Sequence, residues 1–114
     1  MRLSLTLAAV ATAAALLAAP AFSRTATIPY QVKVTITNSS CVLDHPVAPQ
    51  KLILFHVISN GTFSHQFKIW GVGSGIIKAG QEGIFKVQFR SAGAYGYSCF
   101  NSHSLLKRGT FRIK

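Results

Sequence analysis

Three side chains in this sequence have types and positions that could do chemistry together: His65, Cys99 and His103. The alternation of the chain puts His65 just after a turn, at the start of a strand. Cys99 ends another strand, and His103 follows four residues later in a loop. A thiolate and an imidazole on one short loop can converge on a metal, and a second imidazole from a neighbouring strand can complete a trigonal set. Soft sulfur with two imidazole nitrogens suits copper, because thiolate holds Cu(I) and imidazole serves both oxidation states. Zinc accepts the same ligands but prefers a fourth. A competing chemistry is equally plain. The chain has two cysteines, Cys41 and Cys99, and in an oxidising compartment two cysteines read as one disulfide. That bond would remove the thiolate. Hydrolytic catalysis finds no support, since Asp44 and Glu82 are the only carboxylate side chains and form no acid/base pair.

The elements that must position these residues are strands. Tyr30, Val32, Val34 and Ile36 alternate with polar residues, the period of a half-buried strand. Leu52 to Ile58 is an almost continuous apolar run suited to a central strand. Asn60-Gly61 marks a turn, and Gln66 to Trp70 a short strand. Gly71, Gly73 and Gly75 predict a loop, and Ile76 to Gly80 a short strand and turn. Ile84 to Arg90 alternates again, and Tyr95 to Cys99 and Thr110 to Ile113 are expected as the last two strands, the final one beginning after Gly109. No helical stripe appears after the first twenty-odd residues. About seven short strands with regular turn signals predict an all-β sandwich, with Val34, Ile36, Leu54, Phe67, Phe85, Val87, Phe89 and Tyr97 in its core.

With those motifs in place, a resemblance becomes specific. Asn60-Gly61-Thr62-Phe63-Ser64-His65-Gln66-Phe67 is similar to the asparagine-turn-histidine segment of the cupredoxin (blue copper) family. Ile77-Lys78-Ala79-Gly80 resembles that family's glycine turn. Gly93-Ala94-Tyr95-Gly96-Tyr97-Ser98-Cys99 resembles its G-x-Y-x-Y-x-C strand, and His103 to Thr110 the azurin-like end of its ligand loop. The similarity covers Asn60 to Lys114 well, and Tyr30 to Ser59 in strand pattern only. It implies a cupredoxin-like Greek-key β-sandwich, of azurin/plastocyanin type, with copper held by His65, Cys99 and His103. One departure stands out. The family's weak axial methionine falls at Lys107, and the only methionine is Met1. A lysine is protonated at neutral pH and a poor ligand until it loses that proton. The resemblance also brings the segment Asn38 to His45 to the copper end. Cys41 could therefore approach Cys99, or Cys41, Asp44 or His45 could add a ligand.

The chain opens like a secretory signal peptide: Arg2, the Ala/Leu-rich stretch Leu3 to Leu17, and the small-x-small cleavage site Ala19-Pro20-Ala21, with a second cut expected after Ser23. Residues 1–21 are thus read as a signal and 22–114 as one domain, placed in the periplasm or secreted. Loss of Arg2 with the signal leaves a net charge of +9 in place of +10. For an exported chain this charge points to acidic proteins, anionic lipid or cell-surface polymer, not nucleic acid. Asn38-Ser39-Ser40 and Asn60-Gly61-Thr62 match glycosylation acceptors but read as turns. The functional expectation is a monomeric electron carrier, not an enzyme. It would have no membrane span once the signal is gone, Leu105 and Leu106 as docking patch, and acidic redox proteins as partners. The alternatives are copper storage, delivery or resistance without electron transfer, and a metal-free binding module closed by Cys41–Cys99.

Overall fold

The structure is a computed structural model, described here for residues 27–114; the signal peptide expected at 1–21, and the start of the domain at 22–26, lie outside the described residues. Nine strands form two packed sheets: β1 (Tyr30–Ile36), β2 (Cys41–Leu43), β3 (Val47–Ala48), β4 (Leu52–Ser59), β5 (His65–Ile69), β6 (Val72–Gly73), β7 (Glu82–Gln88), β8 (Gly93–Asn101) and β9 (Ser104–Ile113). Sheet A runs β2-β1-β4-β7 and sheet B runs β3-β9-β8-β5-β6. Among the described residues there is no helix. Both sheets are mixed. β1 lies parallel to β4, and β3 parallel to β9. A parallel pair needs a crossover of a dozen or more residues, and Thr37 to Lys51 supplies it, adding β2 to sheet A and β3 to sheet B on the way.

Alternation decides what faces the core. Val32, Val34 and Ile36 of β1 are fully buried, as their period-two spacing dictates. In β4 the inward residues are Ile53, Phe55 and Val57, while Leu54, expected in the core, is half-buried on the outer face. An apolar run at both parities leaves the register open, and His56, which shares the parity of Leu54, marks the outer side. Phe55 sits at the centre, with ring centroids 5.3 Å from Phe67, 5.3 Å from Phe85 and 5.4 Å from Phe111. Phe85 is only partly buried because β7 is an edge strand. At the end away from His65 the turn Trp70-Gly71 takes positive φ at both residues, 51° and 74°, the left-handed pairing that closes a two-residue hairpin. Trp70 stacks there on Phe89.

The last hairpin departs most from expectation. β9 starts at Ser104, not after Gly109, and pairs with β8 along its whole length. Cys99 lies opposite Lys107 and Phe100 opposite Leu105, so Leu106 is the extra residue of a β-bulge. The connection that could have been an open ligand loop is a tight turn of two residues, Ser102 and His103, with Ser102 at φ 52°.

Candidate functional site

One end of the sandwich is built from three segments: Thr37–Ser40 after β1, Asn60–Ser64 before β5, and the Asn101–Ser104 turn. Asn38 ties them together. Its side-chain oxygen accepts from the Thr62 and Phe63 amides at 3.1 and 3.3 Å, and its Nδ2 donates to Thr62 Oγ1 at 2.8 Å. The Asn38 carbonyl accepts from Asn101 Nδ2 at 3.0 Å, and Ser64 O accepts from the Ser102 amide at 2.7 Å. Gly61 takes φ 146° and lies so close to Asn38 that a Cβ there would collide with the Asn38 side chain. A shallow cleft of about 330 Å³ opens beside the turn, lined by Phe63, Asn101, Ser102 and Ser104. Neither Asn38 nor Asn101 is evident from the sequence as a builder of this end; the signal available is an asparagine at each strand end, a residue type that bonds neighbouring backbone.

Cys99 lies on the inner face of β8, opposite Phe67, and is fully buried. Cys41 lies on the inner face of β2, opposite Ile36, and is also fully buried. Their sulfurs are bonded to each other, with Cα atoms 6.5 Å apart, and neither cysteine is free. The cystine crosses the core and joins sheet A to sheet B. This corrects the expectation of Cys99 as a thiolate ligand, because a disulfide sulfur carries no negative charge to offer a metal. Lys107, standing where the resemblance places an axial donor, is exposed along its stem but tied at its tip. Its Nζ donates to the Cys41 carbonyl at 3.1 Å, capping a carbonyl of the edge strand β2. Leu106, expected in the docking patch, packs partly against the core, which leaves Leu105 as the exposed half of that patch.

His65 begins β5 and is fully buried. Its backbone bonds both ways with Ile77, at 2.9 and 2.8 Å. Its Nδ1 shares a hydrogen bond with Ser59 Oγ at 2.9 Å, and its Nε2 has no partner. Burial lowers its pKa below the ordinary 6.5, opposed by the neighbouring Asn101 side chain and the Thr37 backbone. His103 is exposed on the turn. His45 lies 3.1 Å from Asp44, whose Oδ1 accepts from the Lys33 amide, and His56 pairs with Glu82 on the outer face of sheet A. Among the described residues no three His, Cys, Asp or Glu side chains gather as a metal site. The donor set implied by the resemblance therefore does not fit copper in this disulfide-bonded form: its sulfur is occupied, one imidazole is packed on a serine, and the other sits on an exposed turn.

No protein-family model matches the chain, and no curated protein matches it. Among solved structures it is similar to a crystal structure of a multicopper oxidase, with a TM-score of 0.50 and 13% sequence identity. The match covers 75% of this chain and 44% of that one, so the chain spans less than half the length of the protein it matches. At such identity the likeness establishes the fold, a cupredoxin-like β-sandwich, and nothing finer.

Proposed function

We propose that this chain is an exported cupredoxin-like binding module that works without a metal, its metal-site sulfur having become half of a disulfide between the two sheets. One observation carries the reading: the Cys99 sulfur is bonded to Cys41 in the core. The position of Lys107 agrees with it. The residue in the axial-donor place is used to hold the backbone beside the cystine. A disulfide suits an oxidising compartment, so the reading places the mature chain in the periplasm or outside the cell. No helix among the described residues is long and apolar enough to cross a membrane. We take the module to be a binding protein and a monomer. The experiment is to purify the chain without reductant, add Cu(II), and remove the excess by dialysis. The expected result is less than 0.1 copper per chain, on the order of adventitious binding, and no intense thiolate-to-copper band in the visible spectrum. Stoichiometric copper with such a band would overturn the reading.

A second reading, a copper site of azurin or plastocyanin type serving electron transfer, is favoured by the buried, unpartnered Nε2 of His65 in a fold shared with a multicopper oxidase structure. It requires the cystine to be reduced. Copper binding that appears only after reduction would support this reading, and tight Cu(I) binding with no stable Cu(II) form would favour storage or delivery instead.

A further inference from the structure

The outer face of sheet B has a charge pattern that the cystine and the histidines leave unexplained. Residues directly opposite on neighbouring strands share a face. Across this face Lys68 lies opposite Ser98 and Ser98 opposite Arg108; Gly96 lies opposite Thr110, and Ala94 opposite Arg112. The middle strand thus offers Ala94, Gly96 and Ser98, all small, as a floor. Lys68 stands on one rim, its Nζ 5.6 Å from the Phe100 ring centroid. Arg108 and Arg112 stand on the other, both exposed. No strand of sheet B contains an aspartate or glutamate. The two carboxylates of the chain are elsewhere, Glu82 on β7 of sheet A and Asp44 beside β1. Nothing on this face neutralises its cations.

We infer that the furrow along β8, between Lys68 and the Arg108–Arg112 row, binds an extended anionic polysaccharide. The size of the floor selects the occupant. Five residues of strand give a length of about 17 Å, and the two flanking strands set the rims about 10 Å apart. That is roughly 170 Å², far short of the roughly 800 Å² per partner of an ordinary protein interface. The floor from Ala94 to Ser98 carries no protruding apolar side chain, and the exposed apolar residues of this face, Leu105 and Val47, stand apart beyond its rims, whereas membrane-surface binding draws on a continuous buried apolar area as well as charge. A linear chain of acidic sugars fits on both counts, with carboxylates or sulfates meeting cations on the rims and sugar hydroxyls meeting Ser98 and Thr110. This inference goes beyond the binding-module reading and stands on the strand register and charge of this face alone, so thiol and copper measurements can fail without touching it.

The test uses the exported chain and four charged probes, polygalacturonate, dextran sulfate, polyglutamate and phosphatidylglycerol vesicles, with neutral dextran as the blank. Binding is measured against salt. Polygalacturonate or dextran sulfate should bind more tightly than polyglutamate or the vesicles at equal charge. Arg108→Thr/Arg112→Thr should weaken that binding about tenfold and reduce its salt slope by about 1.5, while Lys33→Thr/Lys86→Thr on sheet A, an equal charge change, should alter it less than twofold. Gly96→Glu serves as a second variant. A Cβ at Gly96 meets no atom within 4 Å, so the variant should fold and lose binding by placing a carboxylate on the floor. Equal loss in the sheet A and sheet B pairs, unchanged binding in Gly96→Glu, or preference for polyglutamate or vesicles would each overturn the inference.

Discussion

His65 has the burial of a ligand and the partners of a core residue. Its ring is sealed from water and bonded to Ser59, and burial holds its pKa below 6.5. The sign of the linkage follows. Well above pH 6.5 the ring is neutral in both the folded and unfolded chain and contributes no pH dependence. Below it the unfolded chain takes up the proton first, so the folded state loses stability as pH falls toward the folded pKa. The slope from this residue is at most about 1.4 kcal/mol per pH unit. Urea midpoints measured from pH 7 to pH 5 should fall for the natural sequence and flatten for His65→Gln; parallel curves would show that His65 does not carry the effect. The prominence of His65 was legible from its place after the Asn60 turn. Its partner was not, because Ser59 is an ordinary strand residue until β4 and β5 are stacked. Cys99 was legible as chemistry and ambiguous as to which, since the same residue reads as thiolate or half-cystine until the position of Cys41 is known.

At the scale of elements, the long strands announce themselves and the short ones do not. β1 and β7 alternate clearly in sequence. β2 and β3 are three and two residues long, too short for periodicity, yet β2 is the strand that delivers Cys41. β9 was expected to start late because Leu105 to Arg108 read as loop; a bulge at Leu106 absorbs the broken alternation and lets the strand continue. The β8–β9 pairing gives a contrasting pair of predictions. Gly109 lies opposite Tyr97, and a Cβ there would run into the Tyr97 ring, whereas Gly96 on the outer face has open space. Gly109→Ala should cost about 1–3 kcal/mol through overpacking, and Gly96→Ala should be neutral or slightly stabilising. Thermal melts of the two variants check this; equal melting temperatures would contradict the ring-over-glycine packing.

For the whole molecule, a sandwich of this size has little stability to spare, and the cystine is a large share of it. It closes a loop with a sequence separation of 58, for which loss of chain entropy in the unfolded state is worth about 4 kcal/mol. Cys41→Ala/Cys99→Ala should therefore lose about 2–5 kcal/mol in a denaturant titration, and a loss below about 1 kcal/mol would show that the bond is not a structural staple. Here it joins two sheets that are otherwise held face to face by side-chain packing and by hydrogen bonds such as Ser59–His65 and Lys107–Cys41. The sandwich was legible in the spacing of strands and turns. Whether its sulfur serves a metal or a staple was not, because that depends on which residue faces Cys99 across the core. Counting thiols tests this most directly. The chain is purified without reductant, denatured, and treated with a thiol reagent. The account predicts no reactive thiol per chain, and two after reduction. Two reactive thiols before reduction would contradict it and return Cys99 to the metal.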